Sequence, residues 1–110
     1  MTESRLDPER VYQSLVEAGE TWADADAAAS LLEETRKTVL AECEARAEAS
    51  SMAMKEMIAL ADPVYKEHVA GMVRARKAAN KARVRYDSAK VLSELRRSEE
   101  SSRRAEMTMR

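Results

Sequence analysis

The stretch YKEHVAGMVRARKAANKARVRYDSA, residues 65–89, decides the fold. Within it Tyr65, His68, Met72, Ala75, Ala79, Ala82, Tyr86 and Ala89 recur at alternating steps of three and four. That alternation is the seam of a helix that packs lengthwise on another helix. A matching ladder precedes it: Trp22, Ala25, Ala29, Leu32, Arg36, Val39 and Cys43. Run antiparallel, the two ladders pair Trp22 with Ala89, Ala25 with Tyr86, Ala29 with Ala82, Leu32 with Ala79, Val39 with Met72 and Cys43 with His68. Large side chains then meet small ones, which lets the layers interdigitate. Arg36 falls opposite Ala75, where its stem packs and its head reaches water. On the flank of this seam Asp26 comes near Arg83 and Glu33 near Arg76, so charge supports the same register. The sequence therefore predicts an all-α fold: a long antiparallel helical hairpin, coiled-coil-like, with two short additional helices.

Working outward, the helix boundaries follow from a few residues. The chain has only two Gly and two Pro against twenty Ala, a composition that favours helix and offers little to punctuate it. Asp7-Pro8 reads as an N-cap followed by a proline in the first turn. The first helix runs to Ala18, where Gly19 stops it as a left-handed C′ residue. Thr21 with Asp24 restarts a second helix that continues to about Ala47. Ser50-Ser51 breaks that helix and caps a third, Met52 to Leu60. Asp62-Pro63 starts a fourth, which meets no stop signal before about Glu106. Gly71 is its weak point, costing about 1 kcal/mol relative to Ala. Such a helix is roughly 65 Å long at the usual rise, more than one protomer of this size covers. Residues 1–95 read as one helical domain. Residues 96–110, polar on every side, read as a helical extension or frayed tail unless a partner covers them.

The remaining apolar residues have expected places. Val11, Leu15 and Val16 of the first helix should lie on Val84, Val91, Leu92 and Leu95. Met54, Met57, Ile58 and Ala61 should cap the closed end of the hairpin. With no Phe in the chain, this core is thin, and self-association is the expected supplement. A flank of small residues, Ala28, Thr35, Gly71 and Ala78, allows another helix to approach. Together with Val84, Val91, Leu92 and Leu95 these are the candidate protein-interface residues.

Composition bounds the function classes. Nineteen Lys and Arg balance twenty Asp and Glu, so net charge favours neither nucleic acid nor a membrane. The single cysteine has no partner for an internal disulfide, which fits a reducing compartment. The polar start Met1–Arg10 lacks the apolar run of a secretory signal, and no segment is apolar enough to span a bilayer. The expectation is cytoplasmic. Cys43 facing His68, with Met72, Met54 and Met57 near, suggests a soft-metal site or a thiolate–imidazole pair. One Cys and one His do not make a four-ligand site, and no oxyanion donor or orienting group accompanies them. We therefore expect a polarizable plug there, with no catalytic residues, no metal, no cofactor and no small-molecule substrate. The outer face of the fourth helix carries Arg74, Lys77, Lys81 and Arg85, candidates for contact with nucleic-acid phosphates. From Thr21 to Glu48 seven acids outnumber three bases, so a basic helix paired with an acidic one accounts for the same charges. Trp22 reads as packed on Ala89 and Leu92, or as an interface anchor.

Two stretches carry a resemblance: ADPVYKEH, residues 61–68, and RKAANKARVRYD, residues 76–87. They resemble small all-helical proteins encoded in phage and prophage genomes, generally without an assigned function. The resemblance covers the C-terminal half and implies a phage accessory or host-modulating protein, without carrying over any functional residue. The expected function is that of a non-enzymatic, self-associating helical interaction protein, most simply a homodimer with a protein partner. The alternative is a nucleic-acid-binding accessory protein.

Overall fold

A computed structural model describes residues 7–109; Met1–Leu6 of the polar start and Arg110 of the polar tail lie outside the described residues. The chain is all-α, with helices α1 (Pro8–Glu34), α2 (Arg36–Arg46), α3 (Met52–Ala61) and α4 (Pro63–Met109). It divides into two compact units, Asp24–Ala79 and a second made of Met1–Ala23 with Asn80–Arg110. No helix is long and apolar enough among the described residues to cross a membrane.

Local chemistry sets the helix starts. Asp7 Oδ1 accepts the backbone N–H of Glu9 at 3.0 Å, and Asp62 Oδ1 accepts that of Val64 at 2.8 Å, so each Asp-Pro pair opens a helix. The hydroxyl of Ser51 accepts the N–H of Met54 at 3.2 Å and caps α3. Gly19, in contrast, does not stop α1: no described glycine has a positive φ, and the helix runs on through Thr21 to Glu34. An exposed helix-breaking preference of about 1 kcal/mol is easily outweighed by packing on both sides of it. Nor does the second expected helix run unbroken to Ala47. It is interrupted at Thr35, whose φ of −90° and ψ of 0° depart from helical values.

In the unit Asp24–Ala79 the C-terminal part of α1 runs antiparallel to the start of α4. His68 Nε2 lies 2.8 Å from the carbonyl oxygen of Leu32, and Arg36 Nη1 donates to the Tyr65 hydroxyl at 3.1 Å. Arg76 reaches Asp26, Ser30 and Glu33. Leu32 is thus bracketed by His68 and Arg76, level with Met72. Ala79, its expected partner, lies one heptad further on, about 10 Å along α4. The expected register is corrected toward the start of α4: Arg36 reaches Tyr65 rather than Ala75, and Asp26 meets Arg76 rather than Arg83, while Glu33 meets Arg76 as expected. A seven-residue pattern brings the same faces together after a slip of seven, so periodicity alone leaves this choice open.

Cys43 accordingly does not face His68. It is buried with Ala59 and Tyr65, and Val39, Leu40 and Val69 pack against this cluster. Ala59 is the one fully buried residue of α3. The expected cap of Met54, Met57, Ile58 and Ala61 is not formed; all four are exposed. With a small residue at the contact, α3 approaches α2 closely and turns its methionines outward.

In the second unit α1 from Pro8 to Ala23 runs antiparallel to α4 from Asn80 onward. Tyr86, expected opposite Ala25, stacks on Trp22 with ring centroids 5.3 Å apart, and Lys90 Nζ sits 5.6 Å from its ring centre. Pro8, Val11 and Tyr12 share a cleft with Ser93, Arg96, Arg97 and Glu100. Val11 is buried, but Val84, Val91, Leu92 and Leu95 are 37–60% exposed, so they do not receive the first helix as expected. The three-four ladder of α4 continues past Ala89 to Ser93 and Arg96, and this face meets α1. Val84, Val91 and Leu95 occupy the opposite side.

The two glycines differ in what surrounds them. A Cβ on Gly71 would meet nothing closer than the flexible Arg74 guanidinium at 3.7 Å, whereas one on Gly19 would lie 3.3 Å from the Tyr86 ring. Gly71→Ala should raise stability by about 0.5–1 kcal/mol through helix propensity alone. Gly19→Ala should gain less or lose, because Tyr86 must yield against Trp22. Thermal melts of the two variants beside the parent chain check the difference, and equal gains would contradict the close approach of Tyr86.

Candidate functional site

Three polar arrangements organise the unit Asp24–Ala79. Arg76 is the first. Its Nη1 donates to Asp26 Oδ1 at 2.7 Å, while Nε and Nη2 donate to Glu33 Oε2 and Oε1, each at 2.9 Å. The fork on Glu33 is the bidentate geometry that guanidinium and carboxylate favour. The hydrogen bonds from Arg76 hold the Glu33 carboxyl below its ordinary range, and the same bonds push Arg76 further toward its charged form. Asp26 and Glu33 are one heptad apart, and a single guanidinium holds both.

The second arrangement lies at Thr35, between α1 and α2. Thr35 Oγ1 donates to the carbonyls of Leu31 at 2.9 Å and Leu32 at 3.2 Å. Back-bonding of this kind tilts helix carbonyls and bends the axis. Leu32 O then also lies within hydrogen-bond distance of His68 Nε2, which is satisfied if that nitrogen carries the proton.

Cys43, Arg46, Asp62 and Tyr65 form the third. Arg46 Nη2 lies 3.3 Å from Cys43 Sγ and 3.4 Å from Asp62 Oδ2. Burial, followed by the negative charge of Asp62, pushes the Cys43 thiol up. The Val64 N–H, with help from Cys43 and Arg46, keeps Asp62 low. A protonated thiol beside a carboxylate is a donor, not a nucleophile. His68 is engaged elsewhere, so the thiolate–imidazole pair and the soft-metal grouping are not assembled. Among the described residues no group of three or more His, Cys, Asp and Glu is placed to hold a metal ion.

The candidate surface residues separate by unit. In Asp24–Ala79, Ala28 and Ala78 are exposed while Thr35 and Gly71 are half-buried. Thr35 is committed to the bend. In the same unit Arg74 and Lys77 are exposed, and Arg74 Nη2 donates to Glu67 Oε1 at 2.9 Å. In the second unit Lys81 and Arg85 are exposed, as are Val84, Val91, Leu92 and Leu95. Two apolar surfaces were missed by sequence reasoning. One is α3, with Met52, Met54, Met57, Ile58 and Leu60 at 40–69% exposure. The other is the length of the uncharged ladder on α4, which a second three-four count starting at Val84 would have revealed.

Comparison with protein-family models, with curated proteins and with solved structures returns no match.

The carboxylates give a pH dependence. Glu33, Asp62 and Glu100 all have lowered folded-state values, so each stabilises the fold above its unfolded value and ceases to do so as pH falls through the folded one. The melting temperature should hold steady from neutrality down to roughly pH 5 and decline below about pH 4. Arg76→Gln should melt lower at neutral pH and decline less steeply on the acid side, since Glu33 then has nothing left to lose. Circular-dichroism melts of both chains between neutral and acid pH read this; parallel acid limbs would show that Arg76 does not set the Glu33 carboxyl.

Proposed function

We propose that this chain is a non-enzymatic helical interaction protein that self-associates, working as a homodimer that binds another protein through its helix faces. The observation that carries the reading is the exposed apolar side of α4. Val84, Val91, Leu92 and Leu95 stand 60%, 54%, 37% and 58% exposed, while the side of the same helix that meets α1 carries Ser93 and Arg96. Apolar side chains so arranged at helical spacing mark a surface that another helix covers. The Met-rich side of α3 offers a second, adaptable surface of the sort used for varied protein partners. The resemblance of residues 61–68 and 76–87 to phage-encoded helical proteins extends the proposal to a phage accessory protein in the cytoplasm that engages a host or phage protein. The alternative, nucleic-acid contact through Arg74, Lys77, Lys81 and Arg85, has less support: Arg74 is held by Glu67, and no aromatic residue interleaves that basic side for bases to stack on.

Light scattering coupled to size-exclusion chromatography tests the proposal. The parent chain should run as a dimer at micromolar concentration, and Val91→Glu with Leu95→Glu should run as a monomer of unchanged helicity. Raising the salt concentration should change the dimer's dissociation constant only slightly, whereas phosphate contact would weaken steeply. A parent chain that stays monomeric at every concentration would remove the self-association reading. Binding of duplex DNA or RNA lost on reversing Arg74, Lys77 and Lys81 would favour the alternative.

A further inference from the structure

On its outer side α4 carries a second ladder, Val84, Ser88, Val91, Leu95, Ser98, Ser102, Ala105 and Met109, at alternating steps of four and three. All eight residues are uncharged and all are exposed. A helix inside a single small unit needs one such seam; α4 has a second that its own chain leaves open. Charge along its edges is asymmetric. One edge carries Arg85, Leu92, Glu99 and Glu106, and the other carries Asp87, Glu94, Ser101 and Thr108.

The edges discriminate between the ways a helix could seat on this ladder. In a parallel pair of copies, the residue before one core position meets the residue five further on in its partner. Glu94 would then meet Glu99 on both sides, and Arg85 would meet the uncharged Asn80. In an antiparallel pair each edge meets its own copy. With Val91 opposite Leu95, the twofold axis places Leu92 on Leu92, Arg85 on Glu99 and Glu99 on Arg85. Four of the largest apolar residues of the ladder, two from each copy, then fill adjacent layers around the axis, and the two ion pairs close them. Sliding one heptad one way would set Leu95 against Ser98 and Leu92 against Glu99; sliding the other way would set Val91 against Ser88, Leu92 against Arg85 and Glu99 against Ala78, so either slide removes the two ion pairs.

Resting on the self-association reading above, we propose that the outer side of α4 is the dimer interface. The occupant is a second copy of this chain, antiparallel, with its twofold axis at Leu92. Glu99 is not locked away from that role: its bond to Arg103 is 3.4 Å long, and both side chains are more than half exposed. The geometry also contains one unfavourable contact, because on the other edge Glu94 meets its own copy across the axis. That contact makes the proposal unusually specific, since neutralising an exposed acid should tighten the dimer.

Cysteine trapping and charge exchange test it on the full chain. Leu92→Cys should form an intermolecular disulfide under mild oxidation, with the parent chain, whose only thiol is the buried Cys43, as control. Leu95→Cys should not, because the Cα atoms of the two copies of residue 95 are then too far apart to bridge. Arg85→Glu should raise the dissociation constant about ten-fold, a typical order for losing paired interface charges, and Arg85→Glu with Glu99→Arg should restore it. Glu94→Gln should lower it severalfold. Efficient trapping through residue 95 and not 92 would overturn the antiparallel register while leaving self-association intact. Failure of the double charge exchange to restore affinity would overturn the pairing of Arg85 with Glu99. A chain that sediments as a monomer throughout would remove the underlying reading itself.

Discussion

The unit Asp24–Ala79 depends on one guanidinium. Arg76 bridges two acids a heptad apart on α1, and its bond to Asp26 separates the observed register from the one that would set Asp26 beside Arg83. Exposed ion pairs are poor sources of stability, but they are effective at selecting among nearly degenerate arrangements, because a slipped register leaves charges without partners. The bond between His68 and the Leu32 carbonyl and that between Arg36 and Tyr65 agree with the same choice. From that register follow the burial of Cys43 beside Tyr65 and the contact of Ala59 with both.

The bend at Thr35 has the same origin. A threonine in mid-helix turns its hydroxyl back on the preceding turn, and the loosened Leu32 carbonyl is then available to a side chain from α4. Beyond Thr35 α2 meets α3 through the small residues Cys43 and Ala59. Met52, Met54 and Met57 of α3 stay exposed as a result rather than sealing an end of the hairpin.

The apolar side chains that the fold leaves uncovered lie on α3 and on the outer side of α4. Cys43 is buried, and burial with the neighbouring Asp62 charge pushes its thiol up. α4, by contrast, presents two seams. One meets α1; the other, uncharged from Val84 to Met109, is a surface whose chemistry suits another helix. A chain without Phe and with few bulky residues has little apolar surface to bury within one protomer.

Much of the architecture was legible in residue order. Ala content, two Asp-Pro starts, the Ser51 cap and the three-four ladders fixed the helix class, most boundaries and the sides on which helices meet, because those are local properties of the backbone and of side-chain spacing. The sequence by itself also placed Glu33 with Arg76. Only the tertiary structure decided the register, the continuity of α1 through Gly19, the break at Thr35 and which side of α4 stays open. Each of these is a competition between long-range contacts and a local preference of about 1 kcal/mol or less, or between alternatives that a seven-residue repeat makes equivalent. Tyr86 against Gly19 and Arg76 on Asp26 are the contacts that resolved them, and no count along the chain contains either one.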